Sequence, residues 1–124
     1  MAKRILVVED NDLNRKLFSD LLMAKGFEVE PLADGHVVLD RARAFAPDLV
    51  IMDIQLPRIS GLALIEAMKR DDMLAQIPVL AVTAYAAKGD EERIREAGAE
   101  GYLAKPVSII PFLQAVRALV DVEV

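Results

Sequence analysis

The chain has 124 residues, 54% of them hydrophobic, which is the size of one domain and, by area scaling, enough to bury roughly two-thirds of its surface around a core. A net charge of −5 and a pI near 4.9 repel phosphate backbones, and with no Lys/Arg run to offset them nucleic acid is excluded as a direct partner. The lack of cysteine removes disulfides, thiol nucleophiles and thiolate zinc sites and suits a reducing compartment.

In chain order, Lys3 and Arg4 lead into four apolar residues, 5–8, too short for a signal-peptide core, and these run straight into Glu9, Asp10 and Asp12. The apolar run reads as a strand buried on both faces. A helix follows, capped by Asn11 or Asp12, with Leu13, Leu17 and Leu21 on one stripe, Phe18 and Leu22 beside it, and Gly26 as its stop. Glu28, Val29 and Glu30 alternate like an edge strand. The second helix opens at Asp34, buries Val38, Ala42 and Phe45, and is ended by Pro47. Residues 49–52 form another buried strand, and the third helix, capped by Ser60, turns Leu64, Ile65 and Met68 inward. After the strand 79–82, the segment Asp90 to Ala97 is helical, with acids in its first turn, arginines later and Gly98 beyond; its apolar anchors are chiefly Ile94 and Ala97. A short edge strand, 101–104, precedes a fifth helix that starts near Ser108, carries Pro111 in its first turn and packs Phe112, Leu113, Val116, Leu119 and Val120. His36 reads as a solvated helix residue with no phosphate role. No segment approaches the roughly 20 apolar residues of a membrane span, so the expectation is a cytoplasmic protein without membrane contact.

Strict β-α alternation implies a parallel sheet covered by helices on both faces. With the three apolar strands central, the two weak ones at the edges and consecutive strands adjacent, the order 2-1-3-4-5 follows. Such a sheet reverses direction between strands 1 and 3, and its ligand crevice lies there, outside the strands' carboxyl ends. Those ends carry Glu9 and Asp10, Asp53, Thr83, and Lys105 with Pro106. Neighbouring strands are about 4.8 Å apart. Asp10 and Asp53 should therefore meet, with Glu9 close, Thr83 one strand away and Lys105 beyond it.

Taken singly, a strand-end Asp is a cap, a Thr an edge filler and a Lys a surface charge. Together they are harder to dismiss, because two like charges about 4 Å apart repel by about 4 kcal/mol at an effective dielectric near 20. A divalent cation explains the gathering: Mg²⁺ takes one or two carboxylates and keeps its other positions for water and phosphate oxygens. A carboxylate oxygen could then attack a phosphoryl group, with Lys105 screening the phosphoryl oxygens and the Thr83 hydroxyl donating to one of them.

The stretches VVEDND, MDIQLPRISG, AVTAYA and YLAKP, one after each of four strands, resemble the receiver domain of two-component response regulators, and the likeness spans 1–124 as one domain. It implies a flavodoxin-like (βα)5 three-layer sandwich with a five-stranded parallel sheet. It implies that Asp53 is the phosphoacceptor of a histidine kinase or phosphotransfer protein. Mg²⁺ would be held by Asp10, Asp53 and the backbone carbonyl of Gln55, with Glu9 acting through water. Lys105 would contact the phosphoryl group and Thr83 would report it, with Tyr102 turning inward as the switch. The Lys105–Pro106 bond would be cis, Pro57 and Gly61 would shape the loop after the acceptor, and Gln55 and Tyr85 would tune self-hydrolysis. Arg58 stands at a variable position near the site that is often acidic in relatives.

Within the family the chain is most similar to single-domain regulators of the DivK type, which serve bacterial cell-division control. With no output module after Val124, the expected output is a protein contact through the face of helix 4, strand 5 and helix 5, or phosphate relay. Kinase docking is expected around Asn14, Arg15, Phe18 and residues 106–108. A haloacid-dehalogenase-like phosphatase with Asp10 as nucleophile is the alternative, weakened because Asp53 would lack a role and no acidic pair follows Lys105 at a strand end. A calcium loop starting at Asp10 fails, since Arg15 and Leu21 stand where it needs glycine and glutamate.

Overall fold

The structure, a computed structural model, describes residues 2–84 and 89–120. Among these, strands and helices alternate as β1 (Arg4–Val8), α1 (Asp12–Ala24), β2 (Glu28–Leu32), α2 (Val38–Phe45), β3 (Leu49–Asp53), α3 (Gly61–Arg70), β4 (Val79–Thr83), α4 (Asp90–Ala97), β5 (Gly101–Ala104) and α5 (Ile109–Val120). A single 3₁₀ turn, Gly35–Val37, precedes α2. The strands form one parallel sheet in the order β2-β1-β3-β4-β5. β3 and β4 are buried at every residue, and β1 at every residue but Arg4, whereas β2 and β5 are half exposed, as edge strands are.

Because side chains alternate along a strand, the sheet separates its apolar residues into two cores. Leu6, Val8, Val50, Met52, Val79 and Ala81 face α2, α3 and α4. Ile5, Val7, Leu49, Ile51, Leu80 and Val82 face α1 and α5, where the Phe18 and Phe112 rings stack with centroids 4.9 Å apart. This is the three-layer sandwich expected from the sequence. The registers Val8↔Met52, Asp53↔Val82 and Thr83↔Ala104 bring the carboxyl ends of four strands to one edge.

Local chemistry sets most of the boundaries. The Asn11 side chain caps α1 by accepting from the Asn14 N–H, and Ser60 caps α3 by accepting from Leu62 N–H. Gly98, at φ 121°, closes α4, its N–H donating to the Arg95 carbonyl.

Three elements differ from the sequence expectation. The stripe Leu13, Leu17 and Leu21 is not the buried face of α1: Leu13 is 79% exposed and Leu17 43%, and Phe18, Ser19 and Leu22 face the sheet instead. The apolar arc of this helix is wider than the strip the sheet can cover. Asp34 caps the 3₁₀ turn and not α2, which begins at Val38 and stops at Ala46, whose φ of 52° ends the helix one residue before Pro47. β2 continues through Pro31, which an edge strand tolerates because a missing N–H can face away from the sheet.

Candidate functional site

At the carboxyl edge, β1 passes into Glu9 and Asp10, and β3 ends in Asp53. Glu9 is 1% exposed and Asp53 2%, while Asp10 is open to solvent. Each of the three offers a carboxylate oxygen within 4.8 Å of the others. Two backbone amides orient the buried acids: Asn11 N–H donates to Glu9 Oε2 at 3.1 Å and Gln55 N–H to Asp53 Oδ1 at 3.0 Å. The β1–α1 turn is braced from behind by Arg15, whose guanidinium donates to the carbonyls of Glu9 (2.9 Å) and Asp10 (3.3 Å) and pairs with Asp12.

Lys105 follows β5, two strands from Asp53, and its backbone N–H donates to the Thr83 carbonyl at 2.7 Å. Its side chain does not stay beyond Thr83. Lys105 Nζ reaches back to within 3.3 Å of Asp53 Oδ2 and 2.9 Å of Glu9 Oε1. The Lys105–Pro106 peptide bond is cis. Thr83, 1% exposed at the end of β4, accepts a hydrogen bond from the Gln55 side-chain amide, and the Oε1 of the same amide accepts the Ala84 N–H at 2.8 Å. Tyr102 stands apart from the acids on β5, in register with Ala81 and half-buried against the core beneath α2, α3 and α4. Phe18 belongs to the core at 3% exposure, while Asn14, Leu17, Lys105, Pro106 and Val107 line a groove of about 480 Å³ beside it. Tyr85 lies outside the described residues.

The electrostatics follow from burial. Desolvation, then the adjacent Glu9 carboxylate, push Asp53 up to about 7, with the Gln55 N–H and the Lys105 charge pulling the other way. Burial works against the Lys105 ammonium, yet its contacts with Glu9 and Asp53 outweigh that and hold it above an ordinary lysine.

One lysine does not satisfy the pocket. Glu9 Oε1, though near Nζ, has no aligned hydrogen bond, and Asp10 is not among the ion pairs found in the described residues. Three hard oxygen donors converging with one side open to solvent fit a small divalent cation.

Sequence reasoning placed the acids and brought Lys105 to the phosphoryl group but missed three supports: the contact of Lys105 with Glu9, the Gln55 amide on β4, and the Arg15 brace. A long aliphatic stem after an edge strand was a weak signal for the first. Nothing in the sequence marked the other two. Gly61 gains a physical reason, since a Cβ there would lie 2.4 Å from the Asp53 carbonyl oxygen and 2.7 Å from the Ile54 Cα. The phosphatase alternative gains no support: Asp12, the second acid of its motif, has a side chain 88% exposed and paired with Arg15.

Comparison with known proteins agrees with the fold and the motifs. The sequence profile of the response regulator receiver domain matches residues 5–117. The polar-differentiation response regulator DivK of Brucella anthropi is 51% identical over 118 residues, covering 95% of this chain and 96% of that protein, and DivK of Brucella ovis is 50% identical over the same length. A putative response regulator from Chloroflexus aurantiacus superposes with a TM-score of 0.93 at 28% identity, covering 98% of this chain and 100% of that one. The receiver domain of a Pseudomonas aeruginosa sensor histidine kinase, described with a magnesium ion coordinated in its active site cleft, gives 0.89 at 29% identity, covering 98% of this chain and 100% of that one. The chain thus belongs to the receiver-domain family of two-component response regulators and is DivK-like within it.

Proposed function

We propose that residues 1–124 act as one receiver domain that accepts a phosphoryl group on Asp53 from a histidine kinase or phosphotransfer protein. The observation that carries this reading is the setting of Asp53: a buried carboxylate beside Glu9 and Asp10, with the Lys105 ammonium 3.3 Å away. Asp10, Asp53 and the Gln55 backbone carbonyl would hold Mg²⁺, with Glu9 acting through water. The cation supplies positive charge that favours ionised carboxylates and neutralises phosphoryl oxygens.

In the transfer an Asp53 oxygen attacks the phosphorus of a phosphohistidine. The P–N bond breaks, its electron pair stays with the imidazole, and Asp53 becomes an acyl phosphate. Lys105 stays close enough to pair with the phosphoryl oxygens, and Thr83 offers its hydroxyl. The change replaces one negative charge by about two and adds acceptor oxygens. Thr83 then shifts toward the new group and Tyr102 turns inward. α4 is suited to follow, since Ile94 is its one fully buried residue and its N-cap, Gly89, offers no side chain.

The output is a protein contact at the face of α4, β5 and α5, in the cytoplasm, serving cell-division control. The identity to polar-differentiation DivK proteins supports the pathway. No helix among the described residues is long and apolar enough to cross a membrane. Kinase docking is assigned to the groove lined by Asn14, Leu17 and Pro106, for which Phe18 supplies the floor. Intact-mass measurement after acetyl phosphate and Mg²⁺ tests the central claim: wild type gains one phosphoryl unit and Asp53→Asn gains none. No gain in wild type, or an equal gain in both, overturns it.

A further inference from the structure

Gln55 touches both halves of the switch at once. Its backbone N–H donates to Asp53 Oδ1, its side-chain Nε2 donates to Thr83 Oγ1, and its Oε1 accepts the Ala84 N–H. The segment after β3 is thereby tied to the end of β4 by both ends of one amide. Around it the backbone is already fixed: Ile54 N–H donates to the Val82 carbonyl at 2.9 Å and Lys105 N–H to the Thr83 carbonyl at 2.7 Å. At the end of β4 the Thr83 hydroxyl and the Ala84 N–H are thus both bonded to the one Gln55 side chain.

The geometry points to the Gln55 side chain as a positioning residue that clasps Thr83 in the unphosphorylated state and must let go for the phosphoryl signal to pass. This deepens the phosphoacceptor reading and rests on it. For the amide to follow Thr83 toward Asp53 it would have to give up the Ala84 N–H at its Oε1, while the Gln55 backbone stays bonded to Asp53. A shift of the hydroxyl onto a phosphoryl oxygen therefore parts it from Nε2, and any later rearrangement of Ala84 parts its N–H from Oε1. Interactions made in only one of two states set the balance between them. One hydrogen bond of ordinary net strength shifts that balance about fivefold, so the clasp lowers the share of unmodified protein in the signalling conformation and weakens phosphoryl-analogue binding by a like factor.

The test uses the full chain, Mg²⁺ and beryllofluoride, a stable mimic of the acyl phosphate. In ¹⁵N spectra of the wild type, the Gln55 side-chain NH₂ resonances should be displaced from free-amide positions and protected from exchange. Saturation with beryllofluoride should release them and reduce the protection of the Ala84 amide. Gln55→Met, which keeps the length of the side chain without its polar atoms, should bind beryllofluoride about fivefold more tightly. Its α4 and β5 amide shifts should already lie part-way toward the analogue-bound positions. Gln55→Asn, polar but one methylene short of β4, should behave likewise. Gln55 NH₂ signals unmoved by saturating beryllofluoride, or unchanged or weaker binding in the variants, overturn the clasp. If the wild type itself takes up neither acetyl phosphate nor beryllofluoride, it is the phosphoacceptor reading that falls; if it takes up both and the Gln55 signals stay put, the clasp alone fails.

Discussion

Asp53→Asn should stabilise this protein, and by an amount that depends on pH in one direction. The folded-state pKa of Asp53 is raised from 3.8 to about 7, chiefly by desolvation and then by Glu9. That is about three units, and at about 1.4 kcal/mol each the ionised carboxylate costs the fold up to about 4 kcal/mol. Near pH 4 and below, both the folded and the unfolded chain hold the proton and nothing is lost. Between the two values the unfolded chain has released its proton while the folded one keeps it, so wild-type stability falls as pH rises from about 4 to about 7.

Asparagine cannot ionise, and its Oδ1 can still accept the Gln55 N–H. The variant should therefore match wild type near pH 4 and exceed it by about 2–4 kcal/mol at about pH 8 in the presence of a chelator. Urea denaturation of both proteins across this range measures the gap, and titrating groups remote from the pocket cancel because they are common to both. Millimolar Mg²⁺ should narrow the gap by stabilising the wild type more than the variant. A gap independent of pH, or a variant less stable than wild type at about pH 8, would refute the electrostatic account of the pocket.

Removal of Lys105 acts in the opposite direction. Lys105→Met leaves Glu9 and Asp53 without their cation in a buried setting and should cost about 3 kcal/mol at neutral pH, read by the same denaturation assay, with a smaller loss near pH 5 where protonation of Asp53 relieves the repulsion. Gly61→Ala drives a methyl group against the Asp53 and Ile54 backbone and should cost about 1–3 kcal/mol, together with shifts of the Asp53 and Gln55 amides in NMR spectra. Phe18→Ala should cost about 3–5 kcal/mol because it opens the stack with Phe112, whereas Leu17→Ala, at a half-exposed position on the same groove, should leave stability within about 1 kcal/mol; thermal denaturation separates them. Partner binding lost in Leu17→Ala with stability intact would then report on the groove itself.

The amino-acid order alone determined the sheet. Continuous apolar runs at 5–8, 49–52 and 79–82 can be satisfied only by burial on both faces, and alternation with helices then leaves little freedom in topology. Because parallel strands end at one edge, the meeting of Glu9, Asp10 and Asp53 followed from the same pattern. What it could not decide was which side of a broadly apolar helix would be covered. Leu13 and Leu17 satisfy the same periodicity as Phe18 and Leu22, and only the position of β1, β3 and α5 chose between them. Nor could it aim a flexible side chain. Lys105 has several rotatable bonds and Gln55 a two-sided amide, so their partners depend on the through-space distances left after the strands have packed: Nζ falling between Glu9 and Asp53, the amide falling on Thr83 and Ala84. Periodicity is a property of neighbours in the chain and survives in the sequence; the direction in which a long polar side chain finds its complement is set by neighbours in space, and those exist only once the fold has closed.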